Sequence, residues 1–200
     1  IRSRRFDFDF ALGRKHRPEE GGIFDNDMAG RAVQAALDEA RISAQQVDSL
    51  IHISCTPDRD TRCLQNMIGL ATVLGLRADA DVDHQNLGCA GLAKGLRNAQ
   101  ASIVSGLARY VVVVASNTTS AQLVRENYTS QDRPGFEWAW LSPAVFADGA
   151  AAMVLANDAP DGSGLLATGY EIHPSIELVR FPGGGGLNPT CVLNGSEHAY

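Results

Sequence analysis

Cys89 is the residue whose type and setting offer chemistry. It stands in Asp83-His84-Gln85-Asn86-Leu87-Gly88-Cys89-Ala90-Gly91-Leu92-Ala93-Lys94-Gly95-Leu96, flanked by Gly88 and Gly91. A short apolar segment leads in, and a pattern of helical period runs from Cys89 to about Ser105, before Gly106. The spacing predicts a thiol at a helix N-terminus. There the unpaired backbone N–H groups and the positive end of the helix dipole favour the thiolate, the nucleophilic form of cysteine. The expectation is a reactive nucleophile able to form a covalent intermediate.

The other thiols read differently. Cys55, Cys63 and Cys191 form no C-x-x-C pair with one another or with Cys89, and no histidine lies at zinc-finger spacing, which argues against a metal site. Four cysteines without signs of secretion fit reduced thiols in a cytoplasmic protein, and the Asn-x-Ser/Thr matches at Asn117, Asn127 and Asn194 then carry no weight. An α/β-hydrolase elbow needs glycine two residues before the nucleophile as well as two after, and Leu87 occupies the first of these positions. Gly183 to Gly186 lack the Lys-Ser/Thr of a phosphate loop and read as loop.

The elements that must position Cys89 follow from periodicity. Phe6, Phe8 and Phe10 alternate with Asp7 and Asp9 as in a short strand. Asp25 or Asn26 can cap a helix with Ala29, Val33, Ala36, Leu37 and Ala40 on one face. Leu50 to Ser54 reads as a buried strand in which His52 is a core or edge histidine. A second helix places Leu64, Met67, Ile68, Ala71 and Leu74 together and stops at Gly75. A short strand around Ala80 to Asp83 precedes the Cys89 helix, which is expected to bury Leu92, Ala93, Leu96, Ala99 and Ile103. Gly91 and Gly95 lie on one side of it, where a neighbouring backbone can approach closely. Tyr110 to Ser116 reads as a central strand, Asn117 to Ser142 as a long loop, Ala144 to Asn157 as strand interrupted at Asp148-Gly149, and Gly164 to His173 as a last strand.

Such alternation argues for an α/β fold with a mainly parallel, layered sheet joined by right-handed crossovers. A nucleophile just past the C-terminal end of a strand is where chemistry is expected in that architecture. With 200 residues, 44% of them hydrophobic, the chain can bury a real core. It has no run of about 18 apolar residues that would span a membrane, and no secretory signal is visible, although the first residue is Ile1 rather than Met. A formal charge of −6 argues against nucleic acid as the main partner. Arg2, Arg4, Arg5, Arg14, Lys15 and Arg17 still crowd the N-terminal end; they can meet an acidic carrier or a phosphorylated cofactor, or form a solvated arm.

Gly88-Cys89-Ala90-Gly91-Leu92 after a strand, the Tyr110 to Ser116 strand, and Phe146-Ala147-Asp148-Gly149-Ala150-Ala151-Ala152 together resemble the thiolase superfamily, nearest its β-ketoacyl-ACP synthase III branch. Ile1-Arg2-Ser3-Arg4-Arg5 is similar to the segment preceding that family's first long helix. The resemblance implies a thiolase-like β-α-β-α-β-α-β-β unit, with residues 1–200 as a partial N-terminal unit, incomplete at both ends and without the C-terminal unit. It implies an acyltransferase that loads an acyl group from acyl-CoA or acyl carrier protein onto Cys89 and condenses it with a malonyl-type extender. The setting would be fatty-acid or polyketide-type biosynthesis in the cytoplasm.

The family's His and Asn partners are expected in the second unit; His173 and His198 do not match their positions. The resemblance places Thr56, Cys63, Thr119 and Phe146 at approximate pocket positions, with Cys63 matching a residue lent across a dimer and ordinary packing as the other account of each. It implies no cofactor beyond the thioester substrates, and a homodimer or heterodimer. Ala147 stands where the family usually has Gly. Two alternatives stay open: a non-catalytic partner subunit of a heterodimeric synthase, and a redox-sensing thiol.

Overall fold

The computed structural model describes residues 7–9, 11–56, 58–59, 66–122, 146–158, 164–169 and 171. The chain forms two compact units, one of residues 23–118 and 148–169, the other of residues 1–22, 119–147 and 170–200.

The first of these units is a sheet between helices. Helix α1 spans Asp25–Ala40, α2 Asn66–Leu74 and α3 Gly91–Val104; strands β3 (Ser49–Ile53), β4 (Asp81–Gln85), β5 (Tyr110–Asn117) and β6 (Gly149–Ala156) pair in the order β4-β3-β5-β6. β3 runs parallel to β4 and β5, and β6 closes the edge antiparallel to β5. The expected mainly parallel, layered α/β sheet is therefore what this unit builds.

The pleat explains why Val111 to Val114 are apolar without interruption. Val112 and Val114 join Leu50, Ala29, Val33, Leu37 and Leu70 under α1 and α2, while Val111 and Val113 join Ile51, Ile53 and Ala99 under α3. A strand covered on both faces gains nothing from alternation.

Local chemistry sets the helix ends. α1 is capped at Phe24, whose N–H donates to the Asp27 carboxylate, and it stops at Arg41 in the left-handed region. The expected cap at Asp25 or Asn26 is thus corrected: Asp25 is the first helical residue, and its carboxylate is buried. α2 ends at Gly75, φ 66°, as its glycine foretold. Leu70, not Ile68, is the buried residue of α2, because Ile68 faces away from the α1 layer and is exposed.

The face of α3 also differs from expectation. Gly91, Gly95 and Ala99 are buried, whereas Leu92 and Ala93 are exposed. Small residues face the sheet because Ile51, Ile53 and Val113 already fill that side: a methyl group on Gly91 would run into Ile53, and one on Gly95 would lie 2.8 Å from Ile53 Cδ1 and 3.4 Å from Val113 Cγ1. The close approach is thus to side chains, not to a backbone.

At the opposite end of the sheet Asp48 ties three strand starts together. Its carboxylate accepts the N–H groups of Arg109 and Tyr110 and a guanidinium N–H of Arg77, and its backbone bonds to Tyr110 and Asp81. Burial pushes this carboxyl up, but the Tyr110 and Arg109 N–H donors and Arg77 outweigh it and hold it below its ordinary value.

Expected strand limits move: β4 runs on past Asp83 to Gln85. β6 begins at Gly149, with Phe146 to Asp148 outside it, and residues 164–169 are not strand; Gly164 turns with φ 88°, and Gln100 of α3 bonds to the Leu165 carbonyl and the Thr168 hydroxyl.

In the other unit, β1 (Phe8–Asp9) and β2 (Arg14–Lys15) form a short antiparallel hairpin, in keeping with the alternation read around Phe8. Lys15 reaches Asp7 and the Ser120 hydroxyl, Arg14 pairs with Glu20, and Thr119–Gln122 form one 3-10 turn inside the stretch expected to be loop. Arg14 and the Arg17 N–H hold the Glu20 carboxyl down at about 2.

Candidate functional site

Parallel strands deliver their following turns to one edge, and in the first unit that edge collects Ser54 to Thr56 after β3, Asn86 to Ala90 after β4, and Ser116 to Thr118 at the end of β5.

Cys89 lies in a one-turn 3-10 helix, Gly88–Ala90, which leads directly into α3. The helix expected to start at Cys89 starts at Gly91, and the thiol sits one turn ahead of it. Gly88 takes φ 53°, and Leu87 before it is not helical (φ −122°, ψ 17°), so the chain turns sharply off β4. The Gly91 N–H donates back to the Gly88 carbonyl and closes the turn around Cys89. The thiol is exposed and free. Packing of Gly91 on Ile53 anchors the far side of the turn to the end of β3.

A second exposed thiol stands on the same edge. Cys55 Sγ donates to Asn117 Oδ1 at 3.1 Å, so the turn after β3 is tied to the end of β5.

Behind this edge lies a buried polar cluster. Asp25 and His52 are both fully buried. Asp25 Oδ2 accepts the Ser116 hydroxyl at 2.9 Å and lies 3.3 Å from His52 Nε2, and Asp25 Oδ1 accepts the Thr56 hydroxyl at 3.1 Å. The Thr56 oxygen in turn accepts the Thr118 N–H at 2.8 Å. Because Ser116 donates its proton to Asp25, its oxygen accepts from His52 Nε2, 2.9 Å away, which places a proton on that nitrogen.

Ser116, His52 and Asp25 are the residue types of a hydrolytic triad in a different geometry. The carboxylate meets the same ring nitrogen as the serine, and the group is sealed from solvent. It can hold strand ends in place; it has no exposed nucleophile.

His84 pairs with His52 in the β3–β4 ladder, and the two rings meet edge to face, 5.4 Å between centroids. Burial lowers the affinity of His84 for a proton, as does the neighbouring His52, against the opposing pull of Asp25, Asp83 and the Ser54 backbone.

Thr56, expected at a pocket, is buried with its hydroxyl engaged by Asp25 and Thr118. Thr119 is buried and Phe146 is half exposed, both in the other compact unit. Cys63, Cys191, His173 and His198 lie outside the described residues, as does the segment holding Trp138 and Trp140. Reading His52 as a core histidine agrees with its burial. The roles of Asp25, Ser116 and His84 were not legible beforehand: the available signal was polar residues at strand ends, which names no partner. Among the described residues no group of His, Cys, Asp and Glu is placed to hold a metal, and no helix is long and apolar enough to cross a membrane.

The family model for 3-oxoacyl-[acyl-carrier-protein (ACP)] synthase III matches residues 82–173, which include the Cys89 turn, α3, β5 and β6. A β-ketoacyl-[acyl-carrier-protein] synthase III of Ruegeria pomeroyi is 34% identical over 153 residues, covering 76% of this chain and 42% of the relative. One from Ehrlichia canis is 30% identical over 196 residues, covering 94% and 56%. The chain therefore spans about half the length of the curated relatives it matches. Among solved structures, OleA of Xanthomonas campestris with bound lauric acid and lauroyl-CoA superposes with a TM-score of 0.59 at 24% identity, covering 72% of this chain and 42% of that one. That likeness shows the fold.

Proposed function

We propose, for what is a ketoacyl-synthase-III-like chain with a thiolase-type fold, that Cys89 is the nucleophile of an acyl condensing enzyme. The observation that carries this reading is the exposed Cys89 thiol in the turn between β4 and α3, at the C-terminal edge of the parallel strands.

In the proposed reaction the Cys89 thiolate attacks the carbonyl of acyl-CoA or an acyl carrier protein thioester. The tetrahedral adduct collapses, the carrier thiol leaves with a proton, and the acyl group remains on Cys89. A malonyl-type extender then loses carbon dioxide, and its carbanion attacks the acyl carbonyl and frees the Cys89 thiolate. Two thioester steps replace one difficult condensation. Backbone N–H groups of the turn are suited to the developing oxyanion, and His and Asn groups of a second unit would stabilise the enolate. No cofactor is required beyond the thioesters, and the reading places the reaction in the cytoplasm.

The reading extends to a dimer, homomeric or heteromeric, with Thr56, Cys63, Thr119 and Phe146 as its pocket residues.

The test is covalent loading. A chain extended to the length of its relatives, incubated with a panel of acyl-CoAs, should gain the mass of one acyl group on the peptide containing Cys89. Undiminished labelling after Cys89→Ala would overturn the assignment. A folded chain of that length that takes up no acyl group would point to the non-catalytic partner-subunit alternative.

A further inference from the structure

His52 and His84 occupy directly paired positions of β3 and β4, and β4 leads within four residues of its end to Cys89. We propose that the two imidazoles form a proton-sensitive latch that fixes the end of β4, and with it the Cys89 turn, while His84 is neutral, and releases that turn when His84 is protonated. The regulatory meaning rests on the reading of Cys89 as the reactive thiol; the latch itself does not.

The geometry leaves little room for another positive charge. Asp25, from α1, is one of two anions acting on the pair, with Asp83, and it already receives the hydroxyls of Ser116 and Thr56 and faces His52 Nε2. His52 Nδ1 is buried without a hydrogen-bond partner, so a proton placed there would be a buried donor facing no acceptor. On β4 itself, Asp83 accepts the amide of Gln85. From β5 the neighbouring group is Ser116, a hydroxyl without charge, and α2, packed on β4, has no titratable residue in Asn66–Leu74. Past β3 the Ser54 backbone is the remaining neighbour.

A cation on His84 therefore sits half-buried, edge-on to the His52 ring, in the field of two carboxylates, Asp25 and Asp83, that are each already engaged by other donors. The depressed proton affinity of His84 agrees with this arrangement. Its relief is for the His84 ring to swing toward water. That movement loosens the last ladder pair, Ile53 with Gln85, together with the bond from Ser54 N–H to the Gln85 carbonyl. The Gly88–Ala90 turn follows directly, and a glycine in the left-handed region at its start lets it move with little resistance.

The sign is fixed by linkage. A histidine with a lowered folded value favours the native arrangement fully above its unfolded value, and that contribution fades as pH falls through the folded one. The latch is closed at neutral pH and opens in mild acid.

Hydrogen exchange read by mass spectrometry on this chain, corrected for intrinsic exchange rates, tests it at about pH 7.5 and about pH 5, either side of the ordinary imidazole range. Peptides covering 81–90 should lose protection about tenfold or more at the lower pH, as local opening of that segment requires. Those covering Val111 to Val114 should change far less. His84→Phe and His84→Asn should each remove the pH dependence. Equal protection of 81–90 at both pH values in the parent overturns the latch even if neither variant folds, and so does pH dependence that survives both substitutions. Failure of Cys89 to load an acyl group would leave these exchange results untouched, so the two readings fail separately.

Discussion

Gly91, in the first turn of α3, packs against the Ile53 side chain at the end of β3 with no space for a methyl group between them. This contact couples the sheet to the turn that presents Cys89, two residues earlier. Gly91→Ala should destabilise the chain by about 1–3 kcal/mol through overpacking, although alanine is the better helix former. Gly95→Ala should cost less, since its closest neighbour is the far end of the flexible Ile53 side chain. Urea unfolding of the two variants measures the difference. The pair Gly91→Ala with Ile53→Ala should recover part of the loss, as a steric origin requires.

Asp25 organises the other side of the same edge. Asp25→Ala strands the Ser116 and Thr56 hydroxyls and His52 Nε2 in a sealed interior, and should cost roughly 3–5 kcal/mol. Asp25→Asn keeps an acceptor for one hydroxyl and should cost roughly 1–3 kcal/mol. Thermal unfolding in that order supports the clamp; equal Tm values for both variants and the parent would refute it.

Asp48 gives a prediction in the acid range. Its folded proton affinity is held below the ordinary carboxylate value, so its contribution is complete above that value, near about pH 4, and is lost as pH falls through the lowered one. At neutral pH, Asp48→Ala should cost about 2–3 kcal/mol for the loss of three charge-assisted bonds on a partly exposed group. The gap to the parent should shrink steadily below about pH 4. A gap that does not depend on pH would mean that the carboxylate charge is irrelevant there.

The two exposed thiols should be distinguishable by rate. Cys89 has an open turn around it, whereas Cys55 gives its proton to Asn117 Oδ1. Under native alkylation at neutral pH the Cys89 peptide should label first. Asn117→Ala should speed labelling of Cys55 by about two- to fivefold, the worth of one modest hydrogen bond, while leaving Cys89 unchanged. Peptide mapping reads both sites in one sample.

What the sequence determined was local. Helical spacing in Ala29, Val33 and Leu37, the unbroken valines at 111–114, glycine at 75 and the glycines around Cys89 fixed three helices, the central strand and the turn with the thiol, because each depends on residues a few positions apart. Apolar side chains in the Cys89 helix misled, since periodicity counts hydrophobicity and cannot tell that the facing surface is already full; small residues took the buried face instead. Tertiary structure alone decided the rest. Asp25 meets Thr56 across 31 positions and Ser116 across 91, and His52 meets His84 only because β3 and β4 are adjacent, parallel and in that register. Strand order and register arise from the packing of whole layers, so no short-range pattern carries them, and a buried carboxylate can be recognised only when its donors have been brought to it.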